Sequence, residues 1–185
     1  MDAIEKELEN LLSARRDEMK QKYNRVLPTG ELLFNRYQKA EYIKAGNNSS
    51  IYDTSVIMGD VEIGENVWVG PYTLIEGING NVKIGNFVSI NSGVMIFTHD
   101  STKYYISGGI DEFKKGDVTI GSNTVIGSSS IISQGVCIGE HCVVAAGSFV
   151  NNDVEDNTIV AGNPAKKIGI VHILEDGHVY FKYLK

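Results

Sequence analysis

Four histidines occur in this 185-residue chain, and one of them stands at a marked place. His99 lies in Phe97-Thr98-His99-Asp100, at the start of residues 97–117, which interrupt an otherwise regular repeat. Imidazole is the side chain that exchanges a proton near neutral pH, so a histidine anchored there has the type and the setting of a general base. An interruption this long is usually functional. It also carries Tyr104, Tyr105, Glu112, Phe113, Lys114 and Lys115. The other histidines have less to offer. His141 falls at a corner of the repeat, where a polar residue facing solvent is expected, and His172 and His178 fall in a terminal hairpin. The two cysteines, Cys137 and Cys142, suit a reducing compartment better than a disulfide framework. No Gly-x-Ser-x-Gly elbow supports a serine hydrolase.

The elements that must position His99 follow from a period of six. Ile51, Ile57, Ile63, Val69 and Ile75 share one phase. After three extra residues the count resumes at Ile84, Ile90 and Ile96, and after the interruption it continues with Ile120, Ile126, Ile132, Ile138, Val144 and Val150. Four residues after most of these comes a small or β-branched residue, among them Ser55, Val67, Thr73, Val88, Thr124, Ser130, Cys142 and Ser148. Glycine follows directly at 64, 70, 85, 121, 127 and 139. A helix repeats at 3.6 residues and a plain strand at 2, so neither explains sixes. A three-sided coil does. Each hexapeptide makes one short strand and one corner, the aliphatic residue points to the axis, and equivalent residues stack in ladders. Residues 51–168 therefore predict a parallel β-helix.

The flanks differ. In residues 1–45, Ile4, Leu8, Leu11, Leu12, Arg15, Met19 and Tyr23 recur at helical spacing. Leu27-Pro28-Thr29-Gly30 breaks that helix, and Thr29 is a candidate N-cap for a second helix through Ile43. At the other end Glu175-Asp176-Gly177 separates two β-prone runs, a hairpin signal. The predicted organisation is a helical section 1–50, the coil 51–168 with its excursion 97–117, and a terminal hairpin 169–185. A net charge of −6 argues against a general nucleic-acid binder. No apolar run is long enough to span a bilayer, and the acidic start is unlike a signal peptide, so a cytoplasmic protein without stable membrane insertion is expected.

With the hexapeptides, the stretches MIFTHD around His99, GVCIGEHCVVAAGSFVNNDV at 135–154 and AGNPAKKIG at 161–169 give a specific likeness. Residues 51–168 resemble the hexapeptide-repeat acyltransferases with a left-handed β-helix, nearest the maltose/galactoside and surface-polysaccharide acetyltransferase branch. The resemblance implies transfer of acetyl from acetyl-CoA, a co-substrate, to a sugar hydroxyl, without a metal, in a homotrimer whose sites form between neighbouring coils. It implies His99 as general base, with Asp100 and Glu76 as candidates to hold its second ring nitrogen. By match to the motifs, Ser128, Ala146, Gly147, Asn152, Lys166 and Lys167 are candidates for CoA, the lysines facing its phosphates. Trp68, Tyr72 and Tyr104 are candidates to line the sugar site. Two departures stand out. Members of the maltose/galactoside type often carry a Trp in the rung after the excursion, which here reads Ile120-Gly121-Ser122-Asn123-Thr124-Val125, and the N-terminal section does not match theirs in detail.

Rival readings remain at this level. N-acetylation of an amino or nucleotide-linked amino sugar uses the same machinery. A non-catalytic scaffold needs neither His99 with its excursion nor the AGNPAKKI tail. Zinc-dependent carbonic anhydrases share the fold but use three histidines on one metal, and neither residue five from His141 is histidine.

Overall fold

The computed structural model describes residues 2–184. The six-residue pattern forms a left-handed parallel β-helix, preceded by helices and closed by a β-hairpin. Three ladders line its interior. Side one stacks Ile51, Val69, Ile90, Ile126, Val144 and Val160. Side two stacks Ile57, Ile75, Ile96, Ile132 and Val150. Side three stacks Ile63, Ile84, Ile120 and Ile138, with Val154 bridging to Ile138. All of these except Ile57 are buried. The small residues of the second phase fill the corners from inside. Ser55 and Thr73 donate to the Gly70 carbonyl, and Ser130 and Ser148 to that of Ala145, so their hydroxyls cost little to bury.

The corners need left-handed backbone. Between sides three and one it is adopted by Asn66, Phe87, Asn123, His141 and Asn157, and between sides one and two by Tyr72, Gly93, Ser129 and Gly147. Asparagine and glycine are the residues that tolerate this region best. His141 accordingly serves as a corner residue, its N–H donating to the Ser122 carbonyl of the rung before.

The N-terminal section forms helices α1 (Ala3–Tyr23), α2 (Thr29–Leu33) and α3 (Arg36–Tyr42). Asp2 and Glu5 make a reciprocal capping box on α1. The single helix expected from Thr29 to Ile43 is instead two. Phe34 is extended, and the Asn35 side chain accepts the Tyr37 N–H at 2.9 Å, a stronger start signal than helix continuation could override. Pro28 takes the cap position and Thr29 becomes the first helical residue. Lys39 of α3 then ties the section to the coil. Its ammonium donates to the carbonyls of Tyr52, Asp53 and Ser55 at 3.1, 2.7 and 2.6 Å, and Glu31 accepts the Thr54 N–H at 3.2 Å. These contacts cover the first rung, which would otherwise leave its backbone unpaired. At the far end, strand Ala165–Ile173 pairs antiparallel with Thr158–Gly162 and with Val179–Tyr183.

Candidate active site

The two irregularities of the repeat meet at one corner, between sides two and three. The three extra residues follow Ile75, and the excursion follows Ile96, which is Ile75's partner one rung on. The first irregularity builds a carboxylate seat. Glu76 Oε1 accepts the Ile78 N–H at 2.6 Å. Its Oε2 accepts the Thr98 N–H and hydroxyl, both at 3.0 Å, and lies 2.9 Å from His99 Nδ1. Thr98 Oγ1 in turn accepts the Asn79 N–H at 3.2 Å. Glu76 and Thr98 are both buried. Burial pushes the Glu76 carboxyl up, but the hydrogen bonds from Thr98, His99 and Ile78 outweigh it and hold its pKa at about 2. The carboxylate is therefore ionised at neutral pH and can only accept. His99 Nδ1 must carry the hydrogen, so in the neutral ring Nε2 presents a lone pair. Among the described residues Nε2 has no protein partner, and the side chain keeps 27% of its exposure.

The excursion braces this ring. Its neck is an antiparallel pair, His99 against Lys115 and Asp100 against Lys114. Helix α4 (Thr102–Ile106) follows. Phe113 lies nearly parallel to the His99 ring, centroids 5.7 Å apart and planes 15° apart. Tyr104 meets Phe113 edge-on at 5.0 Å.

Of the two carboxylates expected to orient His99, the one in contact is Glu76. Asp100 instead accepts the Thr102 N–H at 2.8 Å, and this hydrogen bonding lowers its pKa. Tyr104 reaches His99 through Phe113. Tyr72 and Trp68 do not join them. Tyr72 is exposed on the corner between sides one and two, and Trp68 points out from side one against the edge of Tyr52, centroids 5.9 Å apart.

The residues matched to CoA fall in two groups. Ser128, Ala146 and Gly147 stack on the corner between sides one and two, where the Gly147 N–H donates to the Ser128 carbonyl. A Cβ on Gly147 would meet nothing within 4 Å, so the corner is open outward. Among the described residues, no protein acceptor takes the N–H of Ser92, Ser128 or Ala146 along it. Such a column suits a thin chain with amide groups, because small residues let it approach the backbone. Asn152, Lys166 and Lys167 line a separate hollow of about 370 Å³ at the end of the coil, where Lys167 sits 3.5 Å from Glu155. His99 and the Ser128–Gly147 column thus occupy different corners of the protomer, with side two between them.

In the sequence Thr98 is marked only by its place in the MIFTHD motif, and nothing there assigns a role to Ile78 or Phe113. The slip of three residues after Ile75 was the available signal, because an insertion at a corner has to protrude beside the next rung.

Comparison with known proteins agrees with the hexapeptide repeat and its fold. A family model described as the hexapeptide repeat of succinyl-transferase matches residues 117–152. Protein CapG of Staphylococcus aureus is 46% identical over 99 residues, which is 51% of this chain; the chain spans only 55% of that relative's length. The galactoside O-acetyltransferase of Escherichia coli is 32% identical over 143 residues, 66% of this chain and 70% of that enzyme. Among solved structures, AntD, an N-acyltransferase from Bacillus cereus solved in complex with dTDP and coenzyme A, superposes with a TM-score of 0.63. It is 29% identical, over 68% of this chain and 72% of that one.

Proposed function

The chain belongs to the hexapeptide-repeat acyltransferases, and from that premise we propose that it moves the acetyl group of acetyl-CoA to a sugar hydroxyl, with His99 as general base. The observation that carries this reading is the Glu76–His99 contact, which fixes the proton on Nδ1 and leaves Nε2 as the acceptor. As the hydroxyl oxygen attacks the thioester carbon, His99 Nε2 takes its proton. When the tetrahedral intermediate collapses, the C–S bond breaks and the imidazolium returns that proton to the departing sulfur. Ionised Glu76 stabilises the imidazolium in between and keeps the ring aimed. The unpaired N–H groups of Ser128 and Ala146 are the candidate donors to the oxyanion.

Those donors and His99 belong on opposite sides of one subunit contact. Side two, which separates their corners, carries an outward column of Val56, Leu74, Met95, Ile131 and Phe149, apolar at every rung. Val56, Met95 and Ile131 are exposed in the single chain. A contiguous apolar stripe of this kind is an interaction surface. Packed around a threefold axis, three such sides would set the Ser128–Gly147 corner of one protomer against the His99 corner of the next. The active unit is on this reading a homotrimer, working in the cytoplasm in surface-polysaccharide biosynthesis. Among the described residues, no helix is long and apolar enough to cross a membrane.

A second reading is N-acylation of an amino sugar, favoured by AntD and by a dTDP-4-amino-4,6-dideoxy-D-glucose acyltransferase of Escherichia coli that is 31% identical over 138 residues. The test is thiol release from acetyl-CoA with a panel of sugars, amino sugars and their nucleotide-linked forms. Release that depends on an acceptor and on His99 supports transfer, and mass spectrometry of the product separates an ester from an amide. Background release with every acceptor, together with no thermal stabilisation by CoA, would leave the scaffold reading standing.

A further inference from the structure

A second concavity lies away from His99, at the start of the coil. It is a cleft of about 520 Å³ between the C-terminal half of α1 and the α2–α3 pair, within the range of about 300–1,000 Å³ usual for small-molecule sites. Its lining includes three arginines, Arg15, Arg25 and Arg36, with the rings of Tyr37 and Tyr52, in a chain whose net charge is −6. Its one lining carboxylate, Glu31, is already engaged by the Thr54 N–H and hydroxyl. Arg36 is held in place. Its guanidinium lies over the Tyr37 and Tyr52 rings at 5.3 and 5.5 Å, and Nη1 donates to the Tyr52 hydroxyl at 3.3 Å. Arg15 shares an exposed pair with Glu18, and no carboxylate pairs with Arg25 among the described residues. Guanidinium forks recognise phosphate oxygens in pairs, and flat phenol rings take the face of a nucleobase.

The position of the cleft gives this chemistry a use. Tyr52 directly follows Ile51 and opens the corner between sides one and two, the corner that carries Ser128, Ala146 and Gly147 further along. In the threefold arrangement this corner faces the neighbour's His99. The cleft then lies at the N-terminal end of the same seam, two rungs or about 10 Å along the axis from the level of His99. We infer that the cleft binds the diphosphate and base of a nucleotide-linked sugar, so that the acceptor is delivered as a sugar nucleotide. The inference rests on the transferase reading for the identity of the sugar, but the anion site stands on the arginine cluster.

Trp68 is the single tryptophan, and its ring touches Tyr52, so its fluorescence reports on the cleft. The experiment titrates the full chain with UDP, dTDP, uridine and inorganic pyrophosphate, following Trp68 emission and confirming affinities by calorimetry. UDP or dTDP should bind, uridine and pyrophosphate more weakly. Arg25→Gln should weaken the nucleotide about tenfold, the loss of one charge-assisted contact, and Arg25→Gln/Arg36→Gln should abolish binding. Affinity for CoA should stay within about twofold in both variants. Arg25 is exposed, so its variant keeps the test valid even where loss of Arg36 unsettles α3. Nucleotide binding unchanged in Arg25→Gln, or displaced one-for-one by CoA, would overturn the proposal. Pyrophosphate binding as tightly as UDP would overturn the nucleotide in favour of a lipid-linked diphosphate. These readouts need no turnover. A panel without any acetyl transfer would therefore count against the transferase, whereas acetylation of free sugars with a KM unaffected by Arg25→Gln would count against the sugar nucleotide alone.

Discussion

Glu76 is the residue on which His99 depends. Its carboxylate accepts from two backbone N–H groups, a hydroxyl and the imidazole, and has no capacity left to take up a proton at neutral pH. His99→Ala should lower kcat by about 10²–10⁴-fold, the usual worth of general-base help, with the KM for acetyl-CoA little changed. Glu76→Gln should lower kcat by about 10²-fold or more, because an amide can turn its NH₂ toward Nδ1 and favour the wrong tautomer. Steady-state kinetics with a productive acceptor checks both. Glu76 also makes stability depend on pH. Its pKa in the folded chain is about 2, below the ordinary 4.5, so its stabilisation is whole above that ordinary value and is lost as pH falls toward 2. The difference in urea midpoint between the protein and Glu76→Gln should be constant near neutral pH and shrink below about pH 4.5. A difference that grew with acidification would contradict the ionised, saturated carboxylate.

At the scale of elements, the coil is a rigid ruler and the excursion a brace. Each rung repeats the same inward Ile or Val, so removing one leaves a void its neighbours cannot close. Ile132→Ala, at a fully buried position, should cost about 2–5 kcal/mol in denaturant unfolding. The excursion behaves differently. Tyr105, Ile106 and Ile110 are exposed, and Phe113 contacts His99 and Tyr104 rather than the ladders. Phe113→Ala should therefore leave Tm nearly unchanged yet lower kcat about tenfold, because the imidazole loses the plane that holds it, while Phe113→Tyr should restore most of the rate. An equal loss in both variants would argue that the stacking does not position the ring. The helices act as a cap, since Lys39 holds three carbonyls of the first rung, and burial lowers the pKa of its ammonium despite nearby Asp53 and Glu31.

At the scale of the molecule, one protomer carries His99 and the Ser128–Gly147 column on two corners with an apolar side between them, and the proposed function makes each corner half of a shared site. Light scattering should give three times the 20.3 kDa chain mass. Ile131→Arg, which places a charge in the middle of the exposed column, should shift the mass to that of a single chain. Activity should fall with it, although His99 and Glu76 are untouched. A monomer that retained full activity would place acetyl donor and base on one chain.

The sequence by itself determined the coil, because a period of six admits one backbone path and its phase names the inward residues before any coordinate is known. It also marked the corner of interest, through the slip after Ile75 and the break after Ile96. It left open which carboxylate serves His99. Asp100 is adjacent in the chain but points along the excursion to Thr102, whereas Glu76, one rung back, lies beneath the ring. It could not show that the residues matched to CoA divide between a corner and an end hollow, nor that three arginines, from α1, from the loop after it and from α3, line one cleft. Those facts depend on contacts between rungs and between helices, where proximity is set by stacking and packing rather than by spacing along the chain.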